Sequence, residues 1–206
     1  MADINLVDVN KYLSAYHLSL GTERTYQPAK GNFFEFIVQG LDDLLKPGVD
    51  AKLTQDSDYV YNGQEIIRLT VHETTIPHFQ LGTLSIRRGN SVVKYAGVPT
   101  FEAGSLVCTD MIGAQSKAVL EAWQNLAYNV LTDKGGRAYK TDGTGYKRDA
   151  ELVEYTSDHV RVRSWKLKGC WISNITEENY NMESDEIRRV TCAIEYDIAI
   201  PEIENV

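Results

Sequence analysis

The chain has 206 residues and a mass of 23.2 kDa, a size that points to one domain at roughly 100–200 residues per domain. Apolar residues make up 43 % and charged residues 24 %, a globular composition able to build a core without disulfides or metals. Its 21 Lys and Arg stand against 29 Asp and Glu, a formal net charge of −8, and the imbalance is even: residues 1–110 carry 9 positive and 13 negative charges, residues 111–206 carry 12 and 16. That excludes a protein that grips the nucleic-acid backbone, which needs clustered Lys and Arg.

No run approaches the roughly 18–20 apolar residues of a spanning helix, and Met-Ala-Asp-Ile-Asn-Leu lacks the basic start and apolar run of a secretory signal. Cys108, Cys170 and Cys192 are odd in number and far apart, with no Cys-x-x-Cys pair. They read as reduced, buried thiols, Cys192 as plain core.

From the N-terminus, Leu6, Val9, Leu13, Tyr16 and Leu20 fall at helical spacing, as an amphipathic helix or an arm over 1–23. Phe33 to Val38 is aromatic and β-branched and predicts the first strand. Residues 41–62, with Pro47-Gly48 and several acids, predict a long loop insertion. Ile66 to Glu73 alternates like a strand, and Leu81–Arg88 with Val92–Tyr95 predicts a hairpin across Gly89-Asn90. Leu106 to Cys108 is a short strand.

The period then changes. Val119, Trp123, Leu126, Ala127 and Val130 make a helical stripe, predicting an amphipathic helix over 115–131 that ends before Gly135-Gly136. A flexible stretch over 134–145 follows. Ala150–Tyr155, Val160–Leu167 and Cys170–Ile175 read as three strands joined by Ser157-Asp158 and Lys168-Gly169. A last strand alternates without a break from Val190 to Ile200, with Val190, Cys192, Ile194, Tyr196, Ile198 and Ile200 on one face and Glu195 and Asp197 on the other. The fold class is mainly β with one flanking helix: an antiparallel sandwich or partly open barrel, residues 24–206, behind the 1–23 arm.

No motif supplies a reaction. The Gly135–Gly145 stretch has Tyr139 where a phosphate loop needs glycine before the lysine, and strand rather than helix follows. His17, His72, His78 and His159 show no metal-ligand spacing, and no Gly-x-Ser-x-Gly elbow exists. Glu195 and Asp197 could be a carboxylate pair, but their i, i+2 spacing is that of any solvated strand face. Arg161 and Arg163, at the same spacing, point one way, and the acids before them make cross-strand or inter-subunit ion pairs the better reading than a nucleic-acid stripe.

Several strings in order resemble a known family: Arg24-Thr25-Tyr26-Gln27-Pro28 into Asn32-Phe33-Phe34-Glu35-Phe36; Thr75-Ile76-Pro77; Ile86-Arg87-Arg88-Gly89-Asn90; Val93-Lys94-Tyr95-Ala96-Gly97; Ala122-Trp123-Gln124-Asn125; Tyr146-Lys147-Arg148-Asp149-Ala150; Arg163 to Trp171; and Glu195-Tyr196-Asp197. Together, over residues 24–201, they resemble the tail tube proteins of contractile-tailed bacteriophages, relatives of type VI secretion and pyocin tubes. The resemblance implies a barrel-like subunit in six-membered rings stacked into a conduit through which DNA passes without specific binding. The implied place is the virion tail, assembled in the host cytoplasm. The implied partners are further copies, the tail sheath protein, the tape measure protein, and baseplate or terminator proteins. It implies no catalysis and no cofactor. A tube initiator or terminator, or a secretion-type tube, would read much alike, and a monomeric β-barrel binding a small ligand is the reading from another class. Glu195, Asp197, Arg161 and Arg163 are the candidates for a lumen or inter-subunit face, and an acidic lining would let DNA slide.

Overall fold

The computed structural model describes residues 30–42, 44, 62–111, 115–139, 145–180, 182 and 185–203. The expected arm at 1–23 and most of the expected 41–62 insertion lie outside them. The chain order is β1 (Phe34–Val38), α1 (Gly63–Thr70), β2 (Val71–Thr74), β3 (Phe79–Arg88), β4 (Ser91–Phe101), β5 (Gly104–Thr109), α2 (Gln115–Ala127), β6 (Tyr128–Asn129), β7 (Lys134–Gly135), β8 (Arg148–Tyr155), β9 (Arg161–Glu177), β10 (Arg189–Glu195) and β11 (Ile198–Ile203). The fold is mainly β and antiparallel, and it is not a closed barrel. Seven strands run β1-β8-β9-β10-β5-β2 with β11 added on β9, while β3–β4 and β6–β7 form separate ribbons.

β9 is the spine. Its first half pairs with β8 and β11, its second with β10. The sequence reading places a turn at Lys168-Gly169, but β9 runs through it as one 17-residue strand. Gly169 takes φ +70°, and the register with β8 slips by one residue beside it. A glycine bulge of this kind bends a strand without ending it. Opposite the bend, the expected single strand 190–200 is split in two. Val190, Cys192 and Ile194 are buried on β10, Tyr196-Asp197 forms the corner, and Ala199 takes over the buried positions on β11. The pairing with β9 keeps its register through the corner, and the buried set of β9 itself changes parity across Gly169, from Leu167 to Cys170 and Ile172, so Ile198 and Ile200, opposite Lys168 and Lys166, are half exposed instead of buried.

Two further corrections concern helices. The segment expected to be a strand at 66–73 is α1 followed by β2. Asn62 caps α1, its side chain accepting from the Gln64 and Glu65 backbone N–H groups at 3.0 and 3.3 Å, and capping outweighs a weak period-2 pattern here. The second helix stops at Ala127, not Leu131, because Gly136 N–H bonds to the Ala127 carbonyl at 2.8 Å and Tyr128-Asn129 pairs with Lys134-Gly135. Val130 therefore leaves the stripe and is 76 % exposed, while Leu120 joins it fully buried. Lys134 and Gly135, expected in a flexible stretch, are paired in β7.

The core joins Phe36, Val38, Leu106, Leu152, Leu167, Ile172, Val190 and Ile194 from the sheet to Ile67, Val119, Leu120 and Trp123 from the helices. Trp123 is 1 % exposed and donates its indole N–H to the Tyr146 carbonyl at 2.9 Å, so its one polar atom is satisfied where it is buried. All three cysteines are buried and free. Burial pushes the Cys108 thiol up to about 11 and the Cys170 thiol up to about 12, so both are inert, protonated core. No described helix is long and apolar enough to cross a membrane.

Candidate assembly interface

The β3–β4 hairpin is built from the cleanest turn signal in the chain and meets the core through Phe101 at its root. Gly89 takes φ +59°, as the first turn position of a two-residue hairpin demands, and the strands pair from Phe79↔Phe101 to Arg88↔Ser91. Every residue of β3 is exposed, and so is every residue of β4 except Gly97 and Phe101. Among the described residues only the root is held: Phe101 stacks on Phe79 and on Tyr196 of the body at 5.9 and 6.0 Å between centroids, and Glu102 binds Gln80 and His78.

Past the Leu81/Thr83 irregularity the hairpin has two distinct faces. The pairs Leu84↔Tyr95 and Ile86↔Val93 make one apolar, while Thr83↔Ala96, Ser85↔Lys94 and Arg87↔Val92 make the other mixed and basic. Leu84 is 56 % exposed and Ile86 42 %. An apolar face of cross-strand pairs is the pattern that burial normally stabilises, and a contiguous exposed one marks an interaction surface.

The four residues predicted for a lumen or inter-subunit face are not brought together. Arg161 binds Glu151, and Arg163 grips Glu154 with two bonds of 2.6 and 3.2 Å. Glu151 and Glu154 lie on opposite faces of β8, and the register slips between Glu154 and Tyr155. The two arginines thus face opposite sides, against the expectation that they point one way. Cross-strand acid partners are what the sequence led us to expect of them. Glu195 ends β10 opposite Trp171. Asp197 sits in the corner, where Lys147 binds both its oxygens at 2.6 and 2.7 Å and the Tyr139 hydroxyl donates to it at 3.2 Å. That hydrogen bond, with the adjacent charge, raises the Lys147 pKa above the ordinary lysine value, and burial first and Asp197 second raise that of Tyr139.

One outer face is charged and internally balanced. Lys166 pairs with Glu202 at 2.8 Å, Lys168 with Asp149 at 2.5 Å, Arg161 with Glu151, and Arg68 with Glu35, which also accepts from the Tyr155 hydroxyl at 2.8 Å. Exposed pairs of this kind add little stability each; they fix a surface of alternating sign. A second ionic knot sits at the far end of β5 and β10. Arg188 binds Glu177 and Asp110 and stacks on Tyr180 at 4.4 Å. Lys117 holds Glu177 at 2.6 Å, the first cause of a Glu177 pKa below the ordinary carboxylate value.

No family model matches the chain, and no curated protein matches it by sequence. Solved structures do match it. A chain of the PVC extracellular contractile injection system, from its sheath–tube complex in the extended state, superimposes with a TM-score of 0.58 at 12 % identity over 89 % of this chain and 100 % of that one. The fold is that of contractile-injection tube and cap proteins. The anti-feeding prophage tube-terminating cap gives 0.57 at 12 % identity over 86 % and 93 %, and the PVC sheath/tube terminator 0.57 at 14 % over 88 % and 99 %.

Proposed function

We propose that the chain is a structural subunit of a phage-type tail tube, six copies closing a ring and rings stacking into a conduit for DNA. The observation that carries this is the exposed, two-faced β3–β4 hairpin on a fold shared with tube and cap proteins. A ribbon some 30 Å long at 3.3–3.4 Å per residue, with one apolar face in water, is expensive to keep unless a second copy covers it. A heterologous contact that closes gives a ring, and one that does not gives a helical stack. On this reading further partners are the tail sheath, tape measure and baseplate or terminator proteins, the place is the virion tail, and no reaction is involved. The domain plan, an arm over 1–23 and one unit over 24–206, goes with it, the arm as a tie between copies. The balanced charged face, with Arg161, is the candidate lining; Glu195, Asp197 and Arg163 are candidates for contacts between copies.

The likeness to a tube-terminating cap and a tube terminator, at TM-scores equal to that of the sheath–tube complex within 0.01, favours one second reading: a terminator present in few copies. Negative-stain microscopy of the purified chain should show rings or hollow tubes, and a monodisperse monomer across a wide concentration range overturns the proposal. Copy number per particle by gel densitometry then separates tube from terminator.

A further inference from the structure

The β3–β4 hairpin changes character part-way along its length. Three rungs form its root, Phe79↔Phe101, Gln80↔Thr100 and Leu81↔Pro99, and six form its tip, from Thr83↔Ala96 to Arg88↔Ser91. Between them Gly82 alone on β3 faces both Gly97 and Val98 on β4, a two-against-one bulge. The two glycines meet so closely that a Cβ on Gly97 would lie 3.0 Å from the Gly82 carbonyl carbon and oxygen. The ladder is weakest at this place. Neither glycine brings a side chain to pack, Val98 is 77 % exposed, and Pro99 has no N–H to donate.

What holds the two halves differs as well. Along β3 the apolar side chains change face across Gly82: Phe79 and Leu81 stand at odd positions, Leu84 and Ile86 at even ones. At the root, Phe79 and Phe101 form the stack that reaches Tyr196, Phe101 packs against the core, and Glu102 ties Gln80 to His78. Past Gly82 the odd face continues as Thr83, Ser85 and Arg87, with no apolar side chain to seat it. The side-chain hydrogen bonds of Arg87 and Ser91, to the Gly89 and Arg88 carbonyls, stay within the tip's own turn.

We infer that the bulge of Gly82 against Gly97-Val98 is a hinge, on which the tip of the hairpin pivots while the root stays seated on the body. Glycine turns there at little cost because both signs of φ are open to it. The six paired rungs of the tip move as one unit, so the pivot re-aims the whole face of Leu84 and Ile86 at once. Elements with few apolar contacts and exposed backbone bonds are the ones that open and move at low free energy. The hinge is a property of the single chain and goes beyond the tube reading, which concerns what covers that face.

Spin labels on the monomeric chain read the motion as the spread of frozen-out distances in double electron–electron resonance. One label goes on α2 at Asn125→Cys, the other on the tip at Ser85→Cys or on the root at Thr100→Cys; all three positions are exposed, and the native thiols are buried. The tip–body distribution should be roughly twice as wide as the root–body distribution. In Gly82→Ala the new Cβ meets the Val98 and Gly97 backbone at 3.5 Å or more, so the variant fits without a clash. It should narrow the tip distribution towards that of the root and leave the thermal midpoint unchanged. Deleting Val98, which restores one-to-one pairing, should narrow it by another route. A wild-type tip distribution as narrow as the root's, or one that neither variant narrows, overturns the hinge and leaves the tube reading standing. A chain that behaves as stated but never forms rings supports the hinge and overturns the tube reading.

Discussion

The β5–β10 ladder and the β3–β4 hairpin are both antiparallel pairs with one apolar face, yet they end in opposite environments. Val190, Cys192 and Leu106 are fully buried, while Leu84 and Ile86 are 56 and 42 % exposed. Alternation dictates that a strand has an apolar face; it does not dictate what covers it. In the ladder the cover is α2, the other arm of the bent sheet and α1. Within the described chain the hairpin has none; on the proposed function the first region serves folding and the second association.

The comparison predicts unequal consequences. Trp123→Ala should cost about 3–5 kcal/mol, measured by chemical denaturation, since it empties a core site and leaves the Tyr146 carbonyl unbonded. Alkaline pH attacks the same core. The folded Cys108 and Cys170 thiols hold protons up to about 11 and 12, against 9.0 for an ordinary thiol, so above pH 9 the unfolded chain binds fewer protons than the folded one. Their contribution is complete below pH 9 and is lost as pH climbs through 11 to 12; thermal midpoints should be flat in this respect from pH 7 to 8.5 and fall beyond pH 9. Gly169→Ala should cost roughly 1–3 kcal/mol, because its φ is +70° and a Cβ would collide with the Asp197 carboxylate. Asn62→Ala should cost about 1 kcal/mol by removing the α1 cap.

The smallest effect on folding is expected where the effect on assembly is largest. Leu84→Ser with Ile86→Ser should move stability by less than about 0.5 kcal/mol, because these side chains already sit in water. The same pair should abolish higher assemblies in sedimentation velocity. A clear drop in the thermal midpoint would break the comparison, showing that the hairpin's apolar face packs within its own chain.

The strands β1, β5, β8 and β10 and the β3–β4 turn were readable because each obeys a local rule: β-branched alternation, or Gly89-Asn90 between two such runs. The stripe of α2 was readable for the same reason up to Ala127. Its end was not, since the stop comes from a hydrogen bond between Gly136 and Ala127 across a hairpin. The Asn62-x-x-Glu65 spacing before Ile66 was a readable start signal for α1, and the apparent alternation of Ile66–Glu73 masked it. Among the candidate interface residues, the partners of Arg161 and Arg163 followed from the neighbouring acids. Their facing did not, because one extra residue in β9 turns a shared face into two.

The sequence by itself determined the class: an acidic chain without a metal, nucleophile or phosphate motif, made of alternating strands and one strong amphipathic stripe. Those properties are local, set by the two-residue and 3.6-residue periods of side-chain direction. Only the tertiary structure decided that Gly169 bends a strand instead of ending it, that Ile198 and Ile200 face outward, and that the apolar face of the β3–β4 hairpin stays uncovered by the described residues. Each depends on what another segment places opposite, and a residue's neighbours along the chain carry no record of its neighbours in space.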